Sequence, residues 1–301
     1  MSLIQMKHKI LEKAGLAFDL MTCKMFNVRT SVIRVSGGLA DQIGWYGYGL
    51  LLHEKCHVSV EYKFETHIEE DPHAFPHLLR TLQLKDAFPS IELPKHDGRL
   101  NDPYVRIFRH RNLAAHEYGI SVLKNKFRPI DIDTCKDLLN DINAQKSCAV
   151  HVRRDDYARG TGGTHPTQVE FFIFAVRKIH SFDPNVKFFF FSDDLDWVRE
   201  KILPALGKEI AYRVCDQNDS SKGYLDLYLI SRCDHVICSL GGFGQAGRLF
   251  SYKKGYYLRG VASDEYHFSW SLKMYDGEKI GEEVEWGRKV DIRKLEKTAE
   301  N

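Results

Sequence analysis

The 301-residue sequence lacks several features that would place a protein in a broad class at once. No apolar stretch reaches the roughly 18–20 residues that span a bilayer, so we expect no transmembrane segment. The 43 basic and 41 acidic residues nearly balance, which disfavours nucleic acid as a partner, since general nucleic-acid binders usually carry a basic excess. The seven cysteines include no C-x-x-C pair, so we expect reduced thiols in a cytoplasmic protein.

Familiar catalytic and metal-binding motifs are also absent. No G-K-[ST] completes a Walker A loop, and neither G-x-S-x-G nor H-E-x-x-H occurs, which disfavours NTPase, α/β-hydrolase and zincin chemistry. Asp194 and Asp196 form a D-x-D pair that could bind a metal. We favour instead a helix capped by Ser192 or Asp193, whose early acids complement the helix dipole. We therefore predict no metal site and no cofactor.

Alternating apolar and amphipathic segments predict an α/β fold. Residues 32–35 and 58–60 read as strands on either side of a glycine loop and a helix. A second series of strands and helices begins near residue 146, which implies right-handed crossovers and parallel sheets. We expect two Rossmann-like domains that face a central cleft, at residues 1–145 and 146–272, and a tail or helix at 273–301. Residues 66–115 are less periodic, and we expect loops and short helices there.

The densest polar cluster follows the strand predicted at residues 147–152. It contains His151, Arg153, Arg154, Asp155 and Asp156. Alternation would place His151 and Arg153 on one face, with Arg154 opposite. Ligands of open α/β sheets bind at the carboxyl ends of strands, where an arginine fork suits a diphosphate. A solvated strand end with internal ion pairs remains the alternative.

The stretch "SLGGFGQAG" contains the G-x-G-x-x-G spacing of a dinucleotide site at Gly242, Gly244 and Gly247. Asp264 lies twenty residues beyond Gly244, about where a ribose-binding acid belongs. An NAD(P)-dependent oxidoreductase is therefore one hypothesis. Its weakness is position, because this fingerprint belongs on the first βα turn of a domain and here follows several strand–helix units. We interpret the loop as a phosphate site of another kind.

Four segments resemble, in order, those of glycosyltransferase family 11, the α-1,2-fucosyltransferases. "SGGLADQIGWYGYG" resembles the family's G-G-L-G-N-Q-M-F-Q-Y-x-x-G, and "HVRRDDY" its H-x-R-R-G-D-Y. "FFFFSDDLDW" is similar to the family's apolar strand followed by S-D-D. "YLDLYLISRCDHVICS" resembles Y-x-D-L-x-L-M-x-x-C-x-x-x-I-x-x-S. Together these segments cover about residues 32–250, and the ordered set is more specific than any one of them.

The resemblance implies a metal-independent, inverting enzyme of GT-B architecture that uses GDP-L-fucose. Arg153 would grip the β-phosphate, and His151 and Asp226 would line the guanosine pocket, although Asp226 read alone would simply face water. The remaining donor-site candidates are Arg154, Ser239, Gly241, Gly242 and Phe243. Gly37, Gly38, Asp41 and Gln42 would meet donor or acceptor. The resemblance also implies transfer to a galactoside hydroxyl of an oligosaccharide or lipid-linked glycan, as in lipopolysaccharide biosynthesis. That setting implies a bacterial cytoplasmic enzyme, and peripheral association with the inner membrane is left open.

Three departures from the family pattern leave alternatives open. Asp41 stands where the family has Asn, Asp155 where it has Gly, and the 239–247 loop lacks the family's tryptophans and most of its hydroxyls. A related GDP-sugar such as one carrying colitose is an alternative donor, and a non-enzymatic carbohydrate-binding protein is a third hypothesis. The catalytic residues are expected to be Arg153 and a carboxylate base, with Asp41, Asp155 and Asp156 as candidates.

Overall fold

The computed structural model describes residues 17–18, 21–22, 25, 28–64, 81–96, 105–108, 113–158, 165–264, 266–277 and 280–292. The chain forms two compact units, Met1–Ile130 and Asp131–Asn301. The division precedes the expected boundary at 145–146, because the helix Lys136–Asn143 packs on the helix Gly223–Arg232 of the second unit. The N-terminal segment expected to be amphipathic lies mostly outside the described residues.

The first unit contains a three-stranded parallel sheet in the order β2-β1-β3. Its strands are β1 (Thr30–Val35), β2 (Ser59–Phe64) and β3 (Val105–Phe108), and its helices are α1 (Leu39–Cys56) and α2 (Leu113–Leu123). A short helix, Leu84–Ala87, and a 3-10 turn, Lys124–Lys126, complete the described elements. The expectation of only loops and short helices over 66–115 was wrong, because β3 pairs with β1 and α2 begins at Leu113.

Two glycines bring α1 and α2 into backbone contact. A Cβ on Gly47 would lie 2.2 Å from the carbonyl oxygen of Ala115, and one on Gly119 would lie 2.7 Å from that of Ile43. Any side chain at either position would force the helices apart. This crossing fixes α2 against the helix that follows the first glycine loop.

The second unit contains a seven-stranded sheet in the order β10-β9-β8-β7-β4-β5-β6. Strands β4 (Ser147–Val152), β5 (Lys187–Ser192), β6 (Tyr212–Val214), β7 (His235–Cys238) and β8 (Gly255–Ser263) are parallel, whereas β9 (His267–Tyr275) and β10 (Ile280–Asp291) run antiparallel. Its main helices are α3 (Lys136–Asn143), α4 (Val169–Phe182), α5 (Gly223–Arg232) and α6 (Phe243–Phe250). The predicted α/β class with parallel sheets is confirmed.

Short helical segments complete the second unit. They are Ile132–Cys135, Asp155–Ala158, Leu195–Trp197, Val198–Ile202, Leu203–Ala205 and Ser220–Lys222. The helix expected after β5 is therefore broken into a helical turn, a π-helical segment and a 3-10 turn.

Continuous apolar strands form the centre of the second unit because helices cover both faces of a parallel sheet. All four residues of β7 are buried, as are four of the six in β5. Phe188 and Phe190 of β5 pack with Phe171 and Phe172 of α4 in one hydrophobic cluster. The six cysteines in the described part of the chain are all free thiols, as expected.

The carboxyl-terminal segment differs from its prediction. The tail or helix expected at 273–301 is a strand over Ile280–Asp291, which pairs antiparallel with β9 at the edge of the sheet. Charged residues dominate this segment, a composition typical of edge strands, where charge discourages pairing with other chains. Among the described residues no helix is both long and apolar enough to cross a membrane.

Candidate active site

The carboxyl ends of β4 and β7 are joined by Ser239. Its backbone N–H donates to the carbonyl oxygen of His151 at 3.0 Å, and its hydroxyl accepts from the N–H of Arg153 at 2.8 Å. Ser239 is only 1% exposed, so both bonds are shielded from water. The two segments singled out in the sequence, "HVRR" and "SLGG", therefore leave the sheet side by side.

An acidic turn after β5 holds both arginines of "HVRR". Asp193 pairs with the guanidinium of Arg153 at 2.9 Å and accepts the N–H of Arg154 at 2.8 Å. The guanidinium of Arg154 lies 3.5 Å from the Asp194 carboxylate and stacks 3.9 Å above the ring of Trp197. The two guanidinium groups thus point to different partners, and each is fixed in place.

The D-x-D pair is used for helix capping. Asp194 is the cap, because its carboxylate accepts the N–H of Trp197 at 3.1 Å. This corrects the expectation that Ser192 or Asp193 would cap the helix. Ser192 supports the turn instead: its hydroxyl donates to the Val152 carbonyl oxygen and accepts the N–H of Asp194. Among the described residues no group of three His, Cys, Asp or Glu is placed to hold a metal ion.

His151 is a neutral imidazole in this site. Burial, reinforced by the positive charge of Arg153, lowers its pKa to about 3. Its ring stacks on that of Phe243 with centroids 5.0 Å apart. A charged histidine would be expensive here because its hydration is lost without a carboxylate partner. The side chain therefore contributes a flat polar surface at neutral pH.

The glycine loop positions the first turn of α6 at the same edge. Gly241 has a φ of +137°, a conformation that favours glycine, and Gly242 precedes the first residue of the helix without a side-chain cap. The N–H of Leu240 donates to the hydroxyl of Thr167 at 3.2 Å. The first N–H groups of any helix lack acceptors within it, which suits an anion.

The other two glycines of the fingerprint serve packing. A Cβ on Gly244 would lie 2.4 Å from that of Cys238, and one on Gly247 would lie 2.4 Å from Cγ2 of Ile230. Both are contacts that α6 makes with β7 and α5. Asp264, the expected ribose acid, is exposed and accepts hydrogen bonds from the backbone of Tyr266 and His267. It therefore shapes the turn between β8 and β9.

Asp226 lies in the first turn of α5. Its carboxylate accepts a hydrogen bond from the side-chain amide of Asn218 at 2.7 Å. Burial raises its pKa to about 7 in spite of that bond. The alternative that this acid merely faces water is wrong, because it is partly buried and has a fixed polar partner.

The other glycine loop belongs to the first unit. Gly37 has a φ of +83°, and a Cβ there would lie 2.4 Å from a carboxylate oxygen of Asp41. Gln42 is 3% exposed, and its amide donates to the carbonyl oxygens of Gly37 and Thr81 while its oxygen accepts the N–H of Gln83. Gln42 therefore holds the loop together and does not present its side chain to a ligand. Gly38 is the cap position of α1.

The remaining candidates are Asp155 and Asp156, which begin the short helix Asp155–Ala158. Their side chains lie outside the part of the chain that the structure describes. Sequence reasoning missed three residues at this edge: Asp193 as the partner of Arg153, Thr167 as an acceptor for the loop, and Arg259 of β8. Asp193 lies in the S-D-D segment of the family pattern. Arg259 also had a recognisable signal, because it is a single cation within the otherwise uncharged "GYYLRGVAS".

Comparisons with known proteins give one family and several distant structures. The model for glycosyl transferase family 11 matches residues 108–280. POFUT1 bound to GDP is 13% identical, over 73% of this chain and 94% of that chain, with a TM-score of 0.44. A variant of Arabidopsis thaliana FUT1 bound to GDP is 11% identical, over 79% and 72%, with a TM-score of 0.43.

A family 9 glycosyl transferase from Veillonella parvula is also similar, at 11% identity over 73% of this chain and 78% of that chain, with a TM-score of 0.42. No curated protein matches the sequence. These three structures are too distant in sequence and in fold to assign an activity to this chain. The family model, in contrast, spans 173 residues (108 to 280) of 301, more than half of the sequence. The chain belongs to glycosyl transferase family 11.

Proposed function

We propose that this glycosyltransferase transfers L-fucose from GDP-L-fucose to a galactoside hydroxyl, forming an α-1,2 linkage in a surface glycan. Family membership supports transfer of a sugar. One observation in the structure supports a nucleotide-sugar site: Ser239 ties the arginine-bearing end of β4 to the glycine loop after β7. An oriented cation and uncapped helical N–H groups thereby stand at one sheet edge, where a diphosphate binds well.

In this proposal the donor-side residues stabilise the leaving group. A bond forms between the acceptor oxygen and C1 of the sugar while the bond from C1 to the β-phosphate oxygen breaks, and the electron pair leaves on GDP. Arg153 and the N–H groups of residues 241–243 offset the charge that develops there. Because Asp193 already fixes the guanidinium of Arg153, little reorganisation is needed when that charge appears.

The base of the nucleotide would lie against groups suited to it. The neutral ring of His151 and its stacked partner Phe243 offer a flat face, and the carboxyl group of Asp226 can accept hydrogen bonds from guanine amino and imino groups. Arg154 supports this region by its contacts with Asp194 and Trp197. We assign Arg154 to positioning and not to phosphate contact.

The acceptor hydroxyl needs a base that takes its proton as the new bond forms. Asp41, Asp155 and Asp156 remain the candidates. Asp41 lies in the first turn of α1, next to the glycine loop at Gly37, and the two others directly follow the "HVRR" segment. Replacing each aspartate by Asn in turn identifies the base. The variant that lacks the base should transfer the sugar about 10²–10⁴-fold more slowly and should still bind GDP.

A panel of nucleotide sugars tests the proposal. GDP-L-fucose, a GDP-linked colitose donor and UDP-galactose are incubated with and without a β-galactoside, and release of GDP or UDP is measured. The proposal requires acceptor-dependent GDP release from GDP-L-fucose. Preference for the colitose donor would keep the chemistry and change the sugar. Stabilisation by NAD(H) and not by GDP would instead favour an oxidoreductase, although the exposed turn position of Asp264 disfavours that reading.

A further inference from the structure

One row of side chains crosses the sheet at the level of the candidate site. His151 of β4 is in register with Cys238 of β7, and Cys238 is in register with Arg259 of β8. Register partners in parallel strands project to the same face. Arg259 therefore shares a face with His151. The first turn of α6 packs over this row, since a Cβ built on Gly244 would lie 2.4 Å from the Cβ of Cys238 and 3.4 Å from that of His151.

We infer that Arg259 is a second cation of the diphosphate site, on the opposite flank of the glycine loop from Arg153. This inference rests on the proposed function and extends it to a residue outside the motifs of the sequence. Asp193, on the β5 side, holds Arg153. Arg259 lies on the β8 side, so the loop after β7 runs between the two.

The surroundings of Arg259 call for an anion. Its Nε is buried, and within the described residues it donates to no acceptor. Tyr257, Cys238 and Tyr157 are the groups that interact with its charge, and none is a carboxylate. A buried N–H donor that finds no acceptor costs free energy. An anionic ligand would supply the missing charge and hydrogen bonds.

Arg248, which is fully buried, shows what a structural role looks like in this unit. Arg248 donates to the carbonyl oxygens of Asp234 and Lys253 and stacks 4.3 Å above the ring of Tyr275. Its Nη groups are thus used in holding the end of α6. Arg259 makes no comparable contacts in the described part of the chain.

The loop leaves open space at Gly241. A Cβ built on Gly241 meets only the hydroxyl of Tyr157, at 4.0 Å. Tyr157 also interacts with the Arg259 charge. The phenol of Tyr157 is therefore near both the positive-φ glycine and the guanidinium. A nucleoside diphosphate brings more negative charge than one guanidinium offsets, and arginine is suited to bidentate phosphate contacts.

Calorimetric titration of the full-length protein with GDP, guanosine and inorganic pyrophosphate tests this inference. Arg259→Gln should weaken GDP binding about 10- to 100-fold, the range for a lost hydrogen bond to a charged group, and leave guanosine binding unchanged. Arg259→Lys should fall between wild type and Gln. Arg199→Gln is the matched control, because Arg199 is exposed and pairs with exposed Asp196 and Asp216.

The possible outcomes separate the inference from the proposed function. Unchanged GDP affinity in Arg259→Gln, or equal losses for GDP and guanosine, would overturn the role of Arg259. If the protein bound pyrophosphate in an Arg259-dependent way but did not bind GDP, the role of Arg259 as a diphosphate ligand would stand. The GDP-sugar donor would then be refuted. Wild-type protein that binds none of the three ligands would overturn both.

Discussion

Nη1 of Arg153 lies 2.9 Å from a carboxylate oxygen of Asp193, and the other oxygen of Asp193 accepts the N–H of Arg154. The carboxylate thus fixes the side chain of one arginine and the backbone of the next. Asp193 follows β5 and the arginines follow β4, so the contact links two adjacent strand ends. This relationship makes Asp193 a positioning residue for the phosphate contact that we assign to Arg153.

Asp193→Asn should lower kcat for sugar transfer about 10-fold, because the neutral amide holds the guanidinium less firmly. Mutant-cycle analysis with Arg153→Lys checks the mechanism, since two residues that act through one contact give a non-additive loss. Asp196→Asn is the control, because Asp196 is exposed and pairs with Arg199. Additive effects of Asp193→Asn and Arg153→Lys would count against the positioning role.

Ser239→Ala should destabilise the protein by about 1–3 kcal/mol, since it leaves the partly buried N–H of Arg153 without its acceptor. The measurement is urea unfolding followed by tryptophan fluorescence or circular dichroism. Ser181→Ala is the control, because the Ser181 hydroxyl bonds to the Lys178 carbonyl oxygen on an exposed helix surface. Equal stability of the two variants would show that the link between β4 and β7 contributes nothing.

Gly244→Ala should destabilise the second unit by about 1–3 kcal/mol through overpacking, because the new methyl group collides with Cys238. Gly260→Ala is the matched control, since a Cβ there would lie 3.3 Å from Thr167. Thermal unfolding distinguishes the two. If Gly244→Ala melted like wild type, the close approach of α6 to β7 would be incorrect.

Asp226 predicts a pH dependence of stability with a definite sign. Its carboxyl group is protonated more readily in the folded state, where its pKa is about 7, than in the unfolded chain, where it is near the ordinary 3.8. Its stabilising contribution is therefore present below about pH 4 and is lost as the pH rises through about 7. Asp226→Asn should be more stable than wild type at pH 8 and should lose that advantage near pH 4.

The same variant should bind GDP more weakly, although it is the more stable protein at pH 8. Gain of stability with loss of affinity is expected of a buried acid kept for ligand recognition. Isothermal titration with GDP alongside urea unfolding gives both numbers. Unchanged affinity would remove Asp226 from the proposed guanosine pocket.

His151 contributes a pH dependence of stability of the opposite sign to that of Asp226. Its pKa is lowered to about 3, so the unfolded chain takes up a proton near pH 6.5 while the folded protein does not. Its contribution is present above about pH 6.5 and is lost as the pH falls toward 3, with a slope of up to about 1.4 kcal/mol per pH unit. His151→Phe, which keeps a ring against Phe243, should flatten this part of the stability profile.

The local sequence pattern was sufficient to predict strands whose side chains are buried on both faces of the sheet. The apolar runs of β4, β5 and β7 predicted strands because a parallel sheet covered on both faces buries every side chain. The motif "HVRR" and the glycine loop were therefore placed at strand ends correctly. Strand β10 was missed because an edge strand keeps its charges in water and reads as a solvated segment.

Other features depend on contacts between residues far apart in the sequence, and local pattern could not predict them. The short β3 is defined by pairing with β1, which its four residues do not reveal. The positions of Gly244 and Gly247 suggested a dinucleotide, but their neighbours Cys238 and Ile230 show helix packing. Arg259 is separated from "HVRR" by about a hundred residues of sequence, and only the register of β8 with β7 brings it to the same row.

The rate and stereochemistry of transfer test the central claim most directly. Wild-type protein and Arg153→Ala are incubated with GDP-L-fucose and a β-galactoside, and the product is analysed by NMR. We predict an α-1,2-linked fucoside with the configuration at C1 inverted from the donor, and a turnover about 10²–10³-fold lower in Arg153→Ala, by analogy with loss of one oxyanion donor. Retained configuration, or near-normal transfer by Arg153→Ala, would contradict the account.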